Sequence, residues 1–495
     1  FSGSGNATQE GNGQQDITGD ASINLGNVIV FNDPNVGSGE TTVNITKSVN
    51  GVQIQNLELE GYFECVPESS VGPDDVVRTG GGCNTDEEYI LTRQVQIKSG
   101  REISISGNVT NDWGEISFTS TDPDLSRIIL NGSGEQNIMS TSQLDLARLE
   151  VNNDRPTGQS AGVVLDPGSE LLNISDRLTL NKGKVKANER VRLRPGAVVE
   201  NSTSGGNFSG FIEDGVVLER TLTLGPDWYF ITAPNGTTYN ELLRAGNRNN
   251  LWIQGPAESD DPTSSFQNTN LFAYNTSGSG SRGDRWEPVV SVTNSINRGE
   301  GSILFPFPDD NFDGSVETDE EFPKRINTAE ALPFNSTSHN FDIEYGNGST
   351  TSPGQFDEGW NLLGNPFYNN IDWDDLTVST TMVPDGNGGM EADPDIDGVA
   401  YVYDPLNGYQ TYNGSQDTSD KTVPAFQAEG LISPFQAFFV KAKRTGASLS
   451  IDDIGTVQQS DTQVNQDDPF YRSTGPDTDR IIRFGLELEG LETSA

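Results

Sequence analysis

The chain has 495 residues, with 30 basic and 73 acidic side chains and a net charge of −43. So acidic a surface excludes nucleic acid and anionic membranes as partners, since both need a basic face. Only 32% of residues are hydrophobic and no apolar run approaches the roughly 20 residues that span a bilayer, so no membrane insertion is expected.

Read from the N-terminus, the chain opens at Phe1 without a basic segment and apolar core, which predicts that any signal peptide has been removed. Residues 1–215 then read as short strands: 21–31, 41–46, 51–59, 90–97, 102–109, 115–120, 127–130, 144–151, 171–180 and 185–193. Many alternate with period two, as in Val52, Ile54, Leu57, Leu59 or Leu144, Leu146, Leu149, Val151, so one face is buried. Asn and Gly mark turns every 20 to 30 residues, a spacing that suggests rungs of a β-solenoid in which each rung buries its face on its neighbours. The fold predicted here is all-β: an N-terminal parallel β-helix-like domain over 1–215, followed by a jelly-roll-like β-sandwich over 216–455. The alternative is two or more antiparallel β-sandwiches.

In the second region aromatic residues concentrate, among them Trp228, Phe230, Trp252, Trp286, Trp360, Trp373, Phe438 and Phe439, and they supply much buried area for a sandwich core. Residues 456–480 are rich in Gln, Asp, Ser and Thr and read as a polar linker. Strand alternation resumes over 481–495, where Ile481, Ile482, Phe484, Leu486 and Leu488 form either the start of a further module or a strand that completes a sheet in another subunit.

The clearest chemical motif is the acidic loop 309–320. It fits D-x-[DN]-x-[DN]-G-x5-E, in which alternating oxygens surround calcium and Gly314 permits the sharp turn. Asp309, Asn311, Asp313 and Glu320 would give side-chain oxygens, Ser315 its carbonyl, and Glu317 a direct or water-mediated contact. The flanking residues do not look like EF-hand helices, so this reads as a calcium loop inserted in a β-domain; an acidic turn is the plainer reading. A second calcium candidate is Asp393, Asp395 and Asp397 with Asp404, whose plainer reading is an acidic β-turn. His339 is the single histidine, so a histidine-based triad would have to use it, and its polar surroundings read as a solvated loop. No catalytic residue set is expected. Nine Lys against 21 Arg, beside so much acid, suits either strongly saline surroundings or an acidic surface protein loaded with divalent cations.

Three segments carry a family resemblance. They are 359–367 (GWNLLGNPF) with Ile371-Asp372-Trp373, 401–414 (YVYDPLNGYQTYNG) and 432–442 (ISPFQAFFVKA), preceded by Glu219-Arg220-Thr221 and Trp228 to Pro234. In this order they resemble a β-module of large Bacteroidetes cell-surface and adhesin-like proteins, many of them cargo of type IX secretion, and the likeness covers about half of the chain. The resemblance implies an extracellular, cell-surface location. In that setting a disulfide between Cys65 and Cys83 is favoured over two free thiols, and it would constrain the unfolded chain by about 3 kcal/mol. The function expected is structural or adhesive: a surface-layer, filament or adhesin component that is calcium-stabilised and joined to copies of itself, or to other surface proteins or glycans. The alternative is a secreted polysaccharide-active enzyme or its carbohydrate-binding accessory region.

Overall fold

The computed structural model describes residues 7–10, 13–18, 23–31, 41–46, 52–60, 62–67, 77–78, 87–93, 95–99, 102–112, 114–118, 127–155, 161–194, 197–201, 203–204, 207–208, 210–212, 216–222, 225–234, 236–244, 251–260, 269–277, 285–308, 322, 324–328, 338–345, 359–367, 369–387, 389–404, 408–413 and 430–452. Nearly all regular structure among them is β-strand, so the all-β expectation holds. The chain divides into two compact units, Phe1–Val217 and Leu218–Ala495.

In the first unit the strands pair in parallel and in sequence order. Ile54 lies opposite Ile105, Ile105 opposite Leu130, Leu130 opposite Val151, and Val151 opposite Leu180. All five side chains are buried. Each contributes about 1.5–3 kcal/mol of apolar burial, and the aliphatic column is continuous because period-two alternation sends every second side chain inward. A second parallel ladder joins Leu57, Val109, Ile138 and Leu165, and a third joins the strands Gly13–Thr18, Thr41–Thr46, Val95–Ser99 and Gly114–Phe118. The same strand feeds two ladders: Val52–Glu60 pairs with Glu102–Ile105 through its first half and with Val109–Asp112 through its second.

This corner explains where the predicted strands and the structure differ. The expected strand 102–109 breaks into Glu102–Ile105 and Val109–Asp112, with the Ser106 amide donating to the Ile54 carbonyl at the bend. Conversely, the separate strands expected at 171–180 and 185–193 are observed as one bent strand, Leu172–Lys186, and a short one, Val191–Leu193. Bends leave backbone groups turned inward, and buried amide side chains satisfy them. Gln136, which is buried, donates to the Ile105 and Gly107 carbonyls at 2.9 and 2.8 Å and accepts from the Gly132 amide at 2.7 Å. Between residues 62 and 93 the ladder is interrupted by an antiparallel set, Tyr62–Pro67, Val77–Arg78 and Glu87–Arg93.

The second unit is antiparallel. Its centre is a four-stranded sheet in the order Trp360–Gly364, Ala437–Lys441, Ala400–Asp404, Gly408–Tyr412. Both of its faces are covered. Trp360, Leu362, Ala437 and Phe439 pack with Phe230 and Ile303, which lie in a sheet of Tyr229–Thr232, Gly301–Leu304, Leu271–Tyr274 and Trp286–Pro288. Leu363, Phe438 and Val440 pack on the opposite side with Phe341, Leu449 and Ile451, from a sheet of Ser338–Phe341, Leu449–Asp452 and Thr377–Val378. The run Ala437 to Val440 is therefore apolar throughout rather than alternating, as a strand buried on both faces requires. No described helix is long and apolar enough to cross a membrane.

Candidate functional site

The motif that carries the family resemblance is in structural use at each position. Trp360, Leu362, Leu363 and Phe367 are buried in the two cores. Asn361, fully buried, donates to the Glu344 and Gly359 carbonyls at 2.9 and 2.8 Å and accepts from the Glu344 amide. Asn365, also fully buried, donates to the Asn369 and Ile432 carbonyls at 2.9 and 2.8 Å and accepts from the Phe367 amide. The Gly359 and Ile432 carbonyls and the Phe367 amide are thereby satisfied in the interior, where an unpaired group would cost about 1–3 kcal/mol. Gly359 sits at φ +79° against the Ala442 carbonyl, where any Cβ would collide with that oxygen.

Of the predicted sites, the acidic loop Asp309, Asn311, Asp313, Ser315, Glu317 and Glu320 lies outside the described residues, as do Cys83 and the terminal strand residues Ile481, Ile482, Phe484, Leu486 and Leu488. Cys65 belongs to the strand Tyr62–Pro67. The residues next to the acidic loop are described: Lys324, almost fully buried, donates its ammonium to the Pro308 carbonyl at 2.8 Å.

The second acidic turn is occupied differently from a calcium loop. Asp393 accepts from the Lys443 ammonium at 2.8 Å and from the Arg444 guanidinium, and Asp395 lies 3.3 Å from Arg444 Nη1. Ser379 donates to the Asp395 carboxylate at 2.7 Å. Hydrogen bonds from Lys443 and Arg444 hold the Asp393 carboxyl below the usual carboxylate range, and those from Thr381 and Ser379 do the same for Asp395. Asp397 is fixed through its amide, which donates to the Lys441 carbonyl, and Asp404 ends the strand Ala400–Asp404. Two of the four candidate carboxylates therefore face cations supplied about fifty residues downstream. Among the described residues no three His, Cys, Asp or Glu side chains converge as a metal-ligand group.

His339 stands in the strand Ser338–Phe341 rather than in a solvated loop. Its ring packs on Gly299 and lies edge-on to Phe341 at 4.7 Å. Burial and the nearby positive charge of Arg298 push its pKa down to about 4, against a smaller opposing pull from Asp342. The unfolded chain, with a histidine near pH 6.5, then binds the extra proton first as pH falls. Stability is full above about pH 6.5 and is lost progressively toward pH 4. Discounting for the exposed part of the ring, the loss is about 1–2 kcal/mol. Thermal melts from pH 7 to pH 4.5 are expected to show this slope in the natural chain and a shallower one in His339→Asn; equal slopes would remove His339 as its source. The contributions of Asp393 and Asp395 begin to be lost near pH 5, so the slope assigned to His339 is read between about pH 7 and 5.

Sequence reasoning did not anticipate three buried cations of the second unit. Arg285 and Lys324 are almost fully buried, and so is Arg220, whose Nε and Nη1 find no hydrogen-bond acceptor among the described residues. Burial pushes the Arg220 pKa down to about 10. Nor did it anticipate the ribbon formed by Thr380–Pro384 and Met390–Pro394, which pair only with each other. The signal available was Met382 and Met390, two of only three methionines in the chain, placed within one short stretch.

A cluster of half-buried rings, Trp228, Phe272, Tyr274, Trp286, Tyr401, Tyr403 and Tyr409, surrounds Phe230. Most contacts are edge-to-face, as in Tyr403–Tyr409 at 5.3 Å and Trp360–Tyr401 at 5.0 Å, the arrangement of rings packed on one another. Beside them burial raises the Asp227 carboxyl above its ordinary range, opposed by hydrogen bonds from the Trp228 amide and Tyr403. No family model, curated protein or solved structure matches this chain.

Proposed function

We propose that the protein is an extracellular structural or adhesive component of a cell surface, such as a surface layer, filament or adhesin. Its first unit is a β-solenoid of parallel β-helix type and its second a jelly-roll-like β-sandwich. The observation that carries this reading is the in-register parallel column Ile54, Ile105, Leu130, Val151 and Leu180, in which each strand packs on its neighbours in sequence order. The structural use of the whole 359–367 motif supports the same reading. The resemblance of that motif to type IX cargo supplies the export route and the location. Copies join through the terminal strand 481–488, and surface proteins or glycans are the other partners.

Electron microscopy of the native material tests this directly: filaments or lattices are the expected result, and a dispersed monomer at the cell surface would overturn it. A second reading, a carbohydrate-binding region, draws on the half-buried rings around Phe230. Retention on insoluble polysaccharide that is lost in Tyr403→Ala/Tyr409→Ala would favour it.

Calcium is the proposed cofactor, held by the acidic loop 309–320. An extracellular loop of this type needs an affinity of only about 0.1–1 mM. At about 10 mM calcium the ion then adds roughly 1.5–2.5 kcal/mol of stability by mass action. The expected result is a lower melting temperature in chelator, with most of that response lost in Asp313→Ala. Identical melts with and without chelator would reject the site.

A further inference from the structure

The ribbon Thr380–Pro384/Met390–Pro394 is held to the second unit by a charged root. Its two strands pair only with each other, in a register that sets Thr381 opposite Asp393 and Val383 opposite Glu391 on one face. Of its ten strand residues only Val383 and Asp393 are half-buried, and the rest are exposed. At the tip the Asp385 carboxylate is used within the ribbon, accepting from the Asn387 and Gly389 amides, both at 2.8 Å. The backbone meets the body at the root. There the Asp395 amide donates to the Ser379 carbonyl, the Lys443 amide to the Asp395 carbonyl and the Asp397 amide to the Lys441 carbonyl, each at 2.8 Å.

Just above the root a cluster of four charges closes on the ribbon. Asp393 accepts from the Lys443 ammonium at 2.8 Å and from the Arg444 guanidinium, and Arg444 Nη1 lies 3.3 Å from Asp395. Among the described residues no other salt bridge reaches the ribbon. The cluster works against the charge of the molecule. Residues 380–394 carry Asp385, Glu391 and Asp393 and neither Lys nor Arg, on a chain of net charge −43, so like charge pushes the ribbon off the body and the two cations oppose that push. Solvent reaches this balance. The Asp393, Lys443 and Arg444 side chains are 29%, 32% and 27% exposed, and pairs that open to water weaken as the screening length falls from about 10 Å at 0.1 M salt to about 3 Å at 1 M. From Asp393 to Gly389 the strand runs about 13 Å at roughly 3.3 Å per residue, so a small rotation at the root becomes a shift of several Å at the tip.

We propose that the Asp393, Asp395, Lys443 and Arg444 cluster is a salt-responsive latch. At low ionic strength it holds the ribbon in the observed orientation, and as ionic strength rises it lets the ribbon swing about its root at Ser379 and Asp395.

The test measures the distance between spin labels in the full-length chain, introduced as unnatural amino acids at the exposed positions Asn387, at the tip, and Thr411, on the strand Gly408–Tyr412 of the central sheet. At about 20 mM NaCl the distance distribution is expected to be narrow in the natural chain and at least about twice as wide in Asp393→Asn and in Lys443→Gln/Arg444→Gln. In 1 M NaCl the natural chain is expected to widen to match the variants, which themselves change little. Asp393→Glu keeps the charge and is expected to behave as the natural chain does. Melting curves taken alongside separate a released ribbon, with the melting temperature kept within about 2 °C, from general loss of structure. Distributions as narrow in both latch variants as in the natural chain would overturn the proposal. So would a natural chain whose distribution is the same at both salt concentrations.

Discussion

Replacing Gly364 with alanine is expected to lower stability by about 2–4 kcal/mol, near the upper end for an overpacked core. Gly364 ends the central strand Trp360–Gly364, and its amide donates to the Gly299 carbonyl at 2.8 Å. A Cβ there would overlap the Thr232 side chain. Thr232 cannot simply turn away: it is fully buried, its hydroxyl donates to the Glu300 carbonyl at 2.5 Å, and its amide donates to the Phe435 carbonyl. The collision therefore has to move one strand against another between two filled cores. Melting temperature should drop by roughly 5–15 °C, using about 2–4 °C per kcal/mol for a unit of this size. Thr232→Gly in the same chain should recover part of the loss, with a coupling of at least about 1 kcal/mol in the double-mutant cycle. A Gly364→Ala protein within about 0.5 kcal/mol of the natural chain would show that the two layers approach less closely than described.

The second large effect has the opposite sign. Arg220→Met is expected to stabilise the protein by about 1–3 kcal/mol, the order seen when buried ionic groups give way to apolar side chains of similar volume. Arg220 belongs to the strand Val217–Leu222, paired antiparallel with Lys324–Asn327. Directly opposed pairs share a face, so Arg220 and Lys324 project from the same side of that pair. Desolvation of the buried guanidinium is the cost that the substitution removes. Denaturant unfolding of the variant reads the change directly. A loss of more than about 1 kcal/mol would mean that the guanidinium has an acceptor worth more than its burial costs.

Much of this architecture was legible before any coordinates. The pairs Leu144, Leu146 and Leu149, Val151 each follow the period of two that pleating fixes, and the three-residue step between them coincides with a register shift after Leu146. Pairing itself was not legible: nothing local separates a strand whose neighbour is 21 residues away and parallel from one in an antiparallel sandwich. The Phe435 to Val440 run, apolar at each position but Gln436, announced a strand covered on both sides. The counter-charges of Asp393 and Asp395, Lys443 and Arg444, are not legible from the turn itself because they are remote in sequence. Burial of Arg220 was hidden for the same reason, as its apolar surroundings come from segments folded over it. His339 looked solvated because its neighbours in sequence are polar, while its neighbours in space are Gly299 and Phe341.

The parallel column of the first unit also governs how that unit can come into being. The aligned residues Ile54, Ile105, Leu130, Val151 and Leu180 succeed one another at intervals of 51, 25, 21 and 29 residues, so each new strand completes its contacts with the strand just laid down. Loop closure over such spans is inexpensive and differs by less than about 1 kcal/mol from one strand to the next. Growth can therefore run in one direction behind a single nucleus, and a chain delivered end-first through a narrow exit need not wait for its last residue before ordering its first.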